Sequence, residues 1–199
     1  MKSDIELQHL NVKLFLDPSP DLDLWEIVPV FHHWIQDQIW GELLVDVADY
    51  RHVPGGPGIV LIGHEADYSV DNCDNRLGVR YNRKTVVHGT NQERLSQALG
   101  AALKACARLE TDQLLRGQFR FGRREIKISV NDRLLIPNVE SSYESTELEI
   151  KTFFTNLLDG LDFAIRREDN PRNPFGLTIT TAQECEVDTL LEQLNVPAS

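Results

Sequence analysis

The chain has 199 residues, 41% of them hydrophobic and 26% charged. That is close to one domain of ~150 residues and long enough to bury roughly 70% of the unfolded surface without staples. This balance excludes wholesale disorder, collagen and a coiled-coil rod. A formal net charge of −11 argues against a general nucleic-acid binder, which needs a basic surface. No apolar run is long enough for a membrane span and no signal-type leader is evident. Three irregularly spaced cysteines fit a reducing compartment, so the expectation is a cytoplasmic protein.

In chain order, Leu10, Val12, Leu14 and Leu16 alternate as in a half-buried strand. A helix follows from Asp23, with Leu24, Ile27, Val28, Phe31, Trp34, Ile35 and Ile39 as its stripe. Pro29 predicts a kink or a 3₁₀ start. Residues 43–50 and 58–65 flank the loop Pro54-Gly-Gly-Pro57 and read as a hairpin. Leu77, Val79 and Tyr81 alternate in a further strand. Thr90-Asn-Gln-Glu93 then opens a second helix in the form of a capping box.

Phe119 and Phe121 with Ile126, Ile128 and Val130 suggest another hairpin, and Asn131-Asp132 turns into Leu134-Leu-Ile136. Thr146-Glu-Leu-Glu149 and Thr181-Ala-Gln-Glu184 have the same capping form before helical stripes. Phe163 and Ile165, then Leu177 and Ile179, are strands between these two helices. The expected fold is α+β, an antiparallel or mixed sheet with four helices, in the order β-α-β-β-β-α-β-β-α-β-β-α. It reads as a single domain, 1–199, with two diverged halves, 1–111 and 112–199, as a weaker alternative.

Charge is segregated along the chain. Residues 1–74 carry three basic groups against fourteen acidic ones, while 116–133 is locally basic. Facing patches of opposite sign would suit a homo-oligomer or a protein partner. The bland alternative is that these are solvated sides of strands and turns. Trp25 and Trp40 fall off the core stripe of the first helix, and aromatic residues in such places are candidate contact anchors.

One stretch gathers chemistry. Asp46, Asp49, His52, His64, Glu65 and Asp67 lie on or beside the predicted hairpin, with Arg51 at the entrance to a loop containing Gly55 and Gly56. Continuous alternation would put His64 on the apolar face, where a buried imidazole needs a partner such as Asp46 or Asp49. A catalytic histidine oriented by an aspartate, a divalent-metal site, and a satisfied core histidine all fit these residues. No cofactor is implied, and whether a metal binds stays open. The function expected is action through protein contacts or self-association; the alternative is a small metal- or histidine-dependent hydrolase centred on 46–68.

The strings Val45-Asp-Val-Ala-Asp-Tyr-Arg-His-Val-Pro54, Gly63-His-Glu-Ala-Asp-Tyr68 and Asn131-Asp-Arg-Leu-Leu-Ile-Pro-Asn138 resemble those of a conserved bacterial protein family with no assigned activity. The resemblance implies a bacterial cytoplasmic protein and no functional residue.

Overall fold

The computed structural model describes residues 5–16, 23–38, 41–115 and 117–195. The fold is α+β: eight antiparallel strands form one sheet, and four α-helices pack on it. The strands are β1 (Leu10–Leu16), β2 (Leu44–Tyr50), β3 (Gly58–Gly63), β4 (Ala66–Asp71), β5 (Gly78–Arg83), β6 (Phe121–Val130), β7 (Phe163–Arg167) and β8 (Gly176–Thr181). The helices are α1 (Ile27–Gln36), α2 (Asn91–Thr111), α3 (Glu140–Leu157) and α4 (Val187–Asn195). Across the sheet the order is β2-β3-β4-β5-β1-β6-β8-β7, which places the first strand in the middle.

Both halves of the chain wind in the same way. In each, a central strand (β1 or β6) is followed by a helix. A meander then enters at an outer edge (β2 or β7) and works inward until it pairs with that central strand, and a second helix closes the unit. The two windings meet at the antiparallel β1–β6 ladder, where Val12 faces Ile128.

Strand alternation gives the sheet two unlike faces. Val12, Leu61, Tyr68, Val79, Tyr81, Ile128 and Ile179 are buried on the helix side in one core with Phe31, Trp34, Leu99, Leu103 and Phe154. Every α-helix lies on that side, so the alternate residues of the central strands face away from the core.

Local signals explain part of this. Asp23 caps a 3₁₀ turn at Leu24–Glu26 that leads into α1, as Pro29 predicts. Thr90 and Glu93 satisfy each other's backbone amides at the start of α2. The other two capping strings do not cap. Thr146 is buried in the middle of α3, its hydroxyl donating to the Ser142 carbonyl. Thr181 ends β8 and donates to the Gln183 carbonyl instead. In both places Ser or Thr bonds a nearby carbonyl, a competing use of the same hydroxyl.

Two strand readings are also corrected. Residues 119–130 do not form a hairpin; 121–130 is one continuous strand, and Leu134-Leu-Ile136 lies in a turn held by Asp132. The hairpin over 43–65 forms, with Asp49 opposite Ile59 and Asp46 opposite Ile62. The chain then turns again at His64-Glu65 into β4, pairing Ile62 with Asp67. Gly63 permits that turn: a Cβ there would sit 2.4 Å from the Ala66 carbonyl oxygen. Gly58 has φ +66°, and a Cβ on it would meet the Val70 oxygen at 2.0 Å.

Candidate functional site: the uncovered face of the sheet

Register brings together side chains that are far apart in sequence. One row across the uncovered face runs Val60, Ser69, Arg80, Lys13, Lys127, Thr178, Arg166. The next runs Asp46, Ile62, Asp67, Asn82, Asn11, Ser129, Gly176. Arg80, Lys13 and Lys127 are thus direct cross-strand neighbours, an arrangement of like charges that destabilises a sheet unless something compensates it.

Compensation is partial and specific. Lys13 is 2% exposed, and its Nζ gives all three protons to internal acceptors: Asp71 Oδ1 at 2.5 Å, the Arg76 carbonyl at 2.6 Å and the Cys73 carbonyl at 3.1 Å. Burial pulls the Lys13 pKa down, and the Asp71 carboxylate opposes that pull. Asp71 is itself fully buried and has Arg80 Nε 3.0 Å from its other oxygen. One carboxylate therefore sits between two cations. Lys127 forms an ion pair with Glu168 at 3.7 Å. At one end Arg76 stacks 3.7 Å over Phe15 and pairs with both oxygens of Glu125.

Lys13, Arg80 and Lys127 floor a groove of about 590 Å³, within the range of small-molecule sites. Tyr50, Pro57 and Cys73 wall it on the side of the β2–β3 loop, and Glu168, Asn173 and Pro174 on the side of the β7–β8 loop. Asn11 and Asn82 face each other on its floor, and the Oδ1 of each is sealed from solvent without a hydrogen-bond partner. Cys73 stays a thiol, because burial raises its pKa and its Sγ is 3.3 Å from the Gly55 carbonyl.

The residues singled out from sequence are dispersed. His64 is exposed in the β3–β4 turn, and its backbone amide donates to Leu43. Because the chain reverses there, His64 does not share an apolar face with Ala66 and Tyr68, which lie on the helix side. Asp49 is at the far end of the hairpin, about 17 Å away at ~3.4 Å per residue over the five steps from its partner Ile59 to His64. It is clamped by Arg51 at 2.8 Å, which holds its pKa down at about 2.

Arg51 also covers Trp25, its guanidinium 4.8 Å from the ring. Asp46 is exposed and accepts from the Val47 amide; His52 stacks against Tyr50. Glu65 pairs with Arg83 at 2.8 Å and Asp67 with Lys84 at 2.6 Å. Gly55 is at a loop tip with φ +64°, and Gly56 packs against Val53. Trp40 lies outside the described residues.

Among the described residues, no group of three His, Cys, Asp or Glu side chains is placed to hold a metal. The basic stretch 116–133 does not make one face: Lys127 is on the uncovered side, whereas exposed Arg124 approaches Glu184 just before α4. No described helix is long and apolar enough to cross a membrane. Comparison with protein-family models and with curated proteins finds no match for this chain.

Sequence reasoning missed Lys13, Arg80, Lys127, Asn11 and Asn82. The available signal was the polar parity of three apolar strands, Asn11 and Lys13, Arg80 and Asn82, Lys127 and Ser129. Only the strand order makes them neighbours.

Proposed function

We propose that the protein is a binding protein that takes a small polar anion, carrying a phosphate or carboxylate group, in the groove on the uncovered sheet face. The observation that carries this reading is the cross-strand cation row, Arg80-Lys13-Lys127, on a chain whose net charge is −11. A sheet gains nothing by setting like charges side by side, so their retention on one face supports a use for them. Lys13 is spent on Asp71; Arg80, which shares that carboxylate, and Lys127, paired with Glu168, both border the open space. Serine and asparagine side chains around them supply donors and acceptors for the body of a ligand.

Titration of labelled protein with a sugar phosphate and a nucleoside monophosphate, read by amide chemical shifts, tests the proposal. Shifts should concentrate on β1, β5 and β6. Arg80→Gln together with Lys127→Gln should weaken binding at least ~10-fold, the scale of losing charge-assisted hydrogen bonds. No response from any anionic probe, or an undiminished response in the double variant, would sink it.

A further inference from the structure

A second cleft lies on the helix side of the sheet, independent of the groove. It has a volume of about 510 Å³ and is bordered by Glu42, Tyr68, Arg83, Ser96, Gln97 and Lys104. At its floor the Tyr68 hydroxyl donates to Glu42 Oε1 at 2.7 Å. The ring of Tyr68 packs edge-on against Tyr81 at 5.3 Å, and Gln97 Nε2 donates to the Tyr81 hydroxyl at 2.8 Å. Two packed aromatic rings from adjacent strands thus anchor a carboxylate and a carboxamide that border the same cleft.

Each of those two groups keeps an idle oxygen. Glu42 Oε2 and Gln97 Oε1 are both shielded from water and accept no hydrogen bond. Leaving one buried acceptor unmade costs about 1–3 kcal/mol, and two bordering a single cleft is a concentrated cost. The cations nearby do not meet this need. Arg83 is engaged by Glu65, the Thr85 carbonyl and the Tyr81 hydroxyl, and it favours the Glu42 charge without bonding its idle oxygen; Lys104 is exposed on α2. Burial raises the Glu42 pKa, against the pull of the Tyr68 hydroxyl and the Ala66 amide, which lower it. Of the other two acids of the cleft, Glu65 pairs with Arg83 and Glu93 spends its carboxylate on the Thr90 cap.

From this juxtaposition we infer that the Glu42–Tyr68–Gln97 cleft is a binding site for the N–H-bearing cationic head of a small molecule, an ammonium or a guanidinium group. Such a head supplies two or three donors in one place and balances the Glu42 charge. Tyr68 holds the carboxylate in position, and Gln97, anchored on Tyr81, offers the second acceptor.

The test uses the whole protein, labelled on backbone amides, with three probes: n-butylammonium, agmatine and tetramethylammonium. The first two carry N–H donors; the third has the same charge and none. Saturable shifts at Ser96, Gln97 and Tyr68 with the first two probes, and none there with the third, are expected. Glu42→Gln should weaken that binding at least ~10-fold, consistent with loss of a charge-assisted bond. The variant should fold, because it removes a carboxyl whose ionised form burial disfavours; an unchanged thermal midpoint at neutral pH checks this. Equal shifts with tetramethylammonium would mean general attraction to an acidic protein and would overturn the inference. So would binding unaffected by Glu42→Gln, or no saturable response to either donor probe.

Discussion

Lys13 shows how a residue can be read correctly by position and wrongly by role. Alternation puts it on the polar side of its strand, where a lysine is ordinarily solvated. In the fold it is buried, and its three protons tie together Asp71 and two carbonyls of the β4–β5 connection. Removing one member of a buried pair leaves the other charge uncompensated, at a cost of 3–5 kcal/mol. Lys13→Met should therefore lower stability by about 3 kcal/mol in urea unfolding, the low end because Arg80 still approaches Asp71. A loss below about 1 kcal/mol would mean that the pair is merely tolerated. His64 is the opposite case. Its identity attracted a chemical reading, but its neighbours are set by a turn that two-residue alternation passes through without a mark.

The elements were legible where local chemistry and periodicity coincided. At α2 the capping box and the stripe Leu95, Leu99, Leu103, Cys106 agree, and the helix runs from the residue after Thr90. Thr90→Ala should cost about 1 kcal/mol and fray the first turn, visible as faster amide exchange at Gln92 and Glu93. At α3 the same four-letter pattern sits two turns inside the helix, because Thr146 is used as a small buried residue rather than as a cap. The pattern alone cannot distinguish these uses. The β3–β4 turn lacks an Asn-Gly or Asp-Gly pair, so no local signal marks β4 as a separate strand after 58–65. The Gly63 that enables it acts through the close approach of the Ala66 carbonyl, a contact no local rule contains.

Across the whole molecule, the α+β class and the helices followed from sequence, whereas the groove and the cleft did not. Both depend on which strands become neighbours, and the order β5-β1-β6 joins residues 10–16 to segments roughly seventy and a hundred and ten positions later. Such pairings are fixed by the collective packing of the core, and they carry the loop-closure entropy of long separations. The acidic and basic stretches likewise acquire meaning only once registered: the cations that matter are the three aligned on adjacent strands, not the longest basic run.

The matching winding of the two halves places the seam of the protein at the ladder between β1 and β6. A polypeptide ending at residue 111 would still contain a five-stranded sheet and its two helices, but the outer rim of its innermost strand would be bare for seven residues. Naked rims of that kind recruit whatever strand is at hand. Such a truncated polypeptide should pair rim to rim with a twin, and ultracentrifugation should find it at twice the mass of one truncated chain. Adding the separately produced remainder, 112–199, should dissolve that twin and rebuild the original seam.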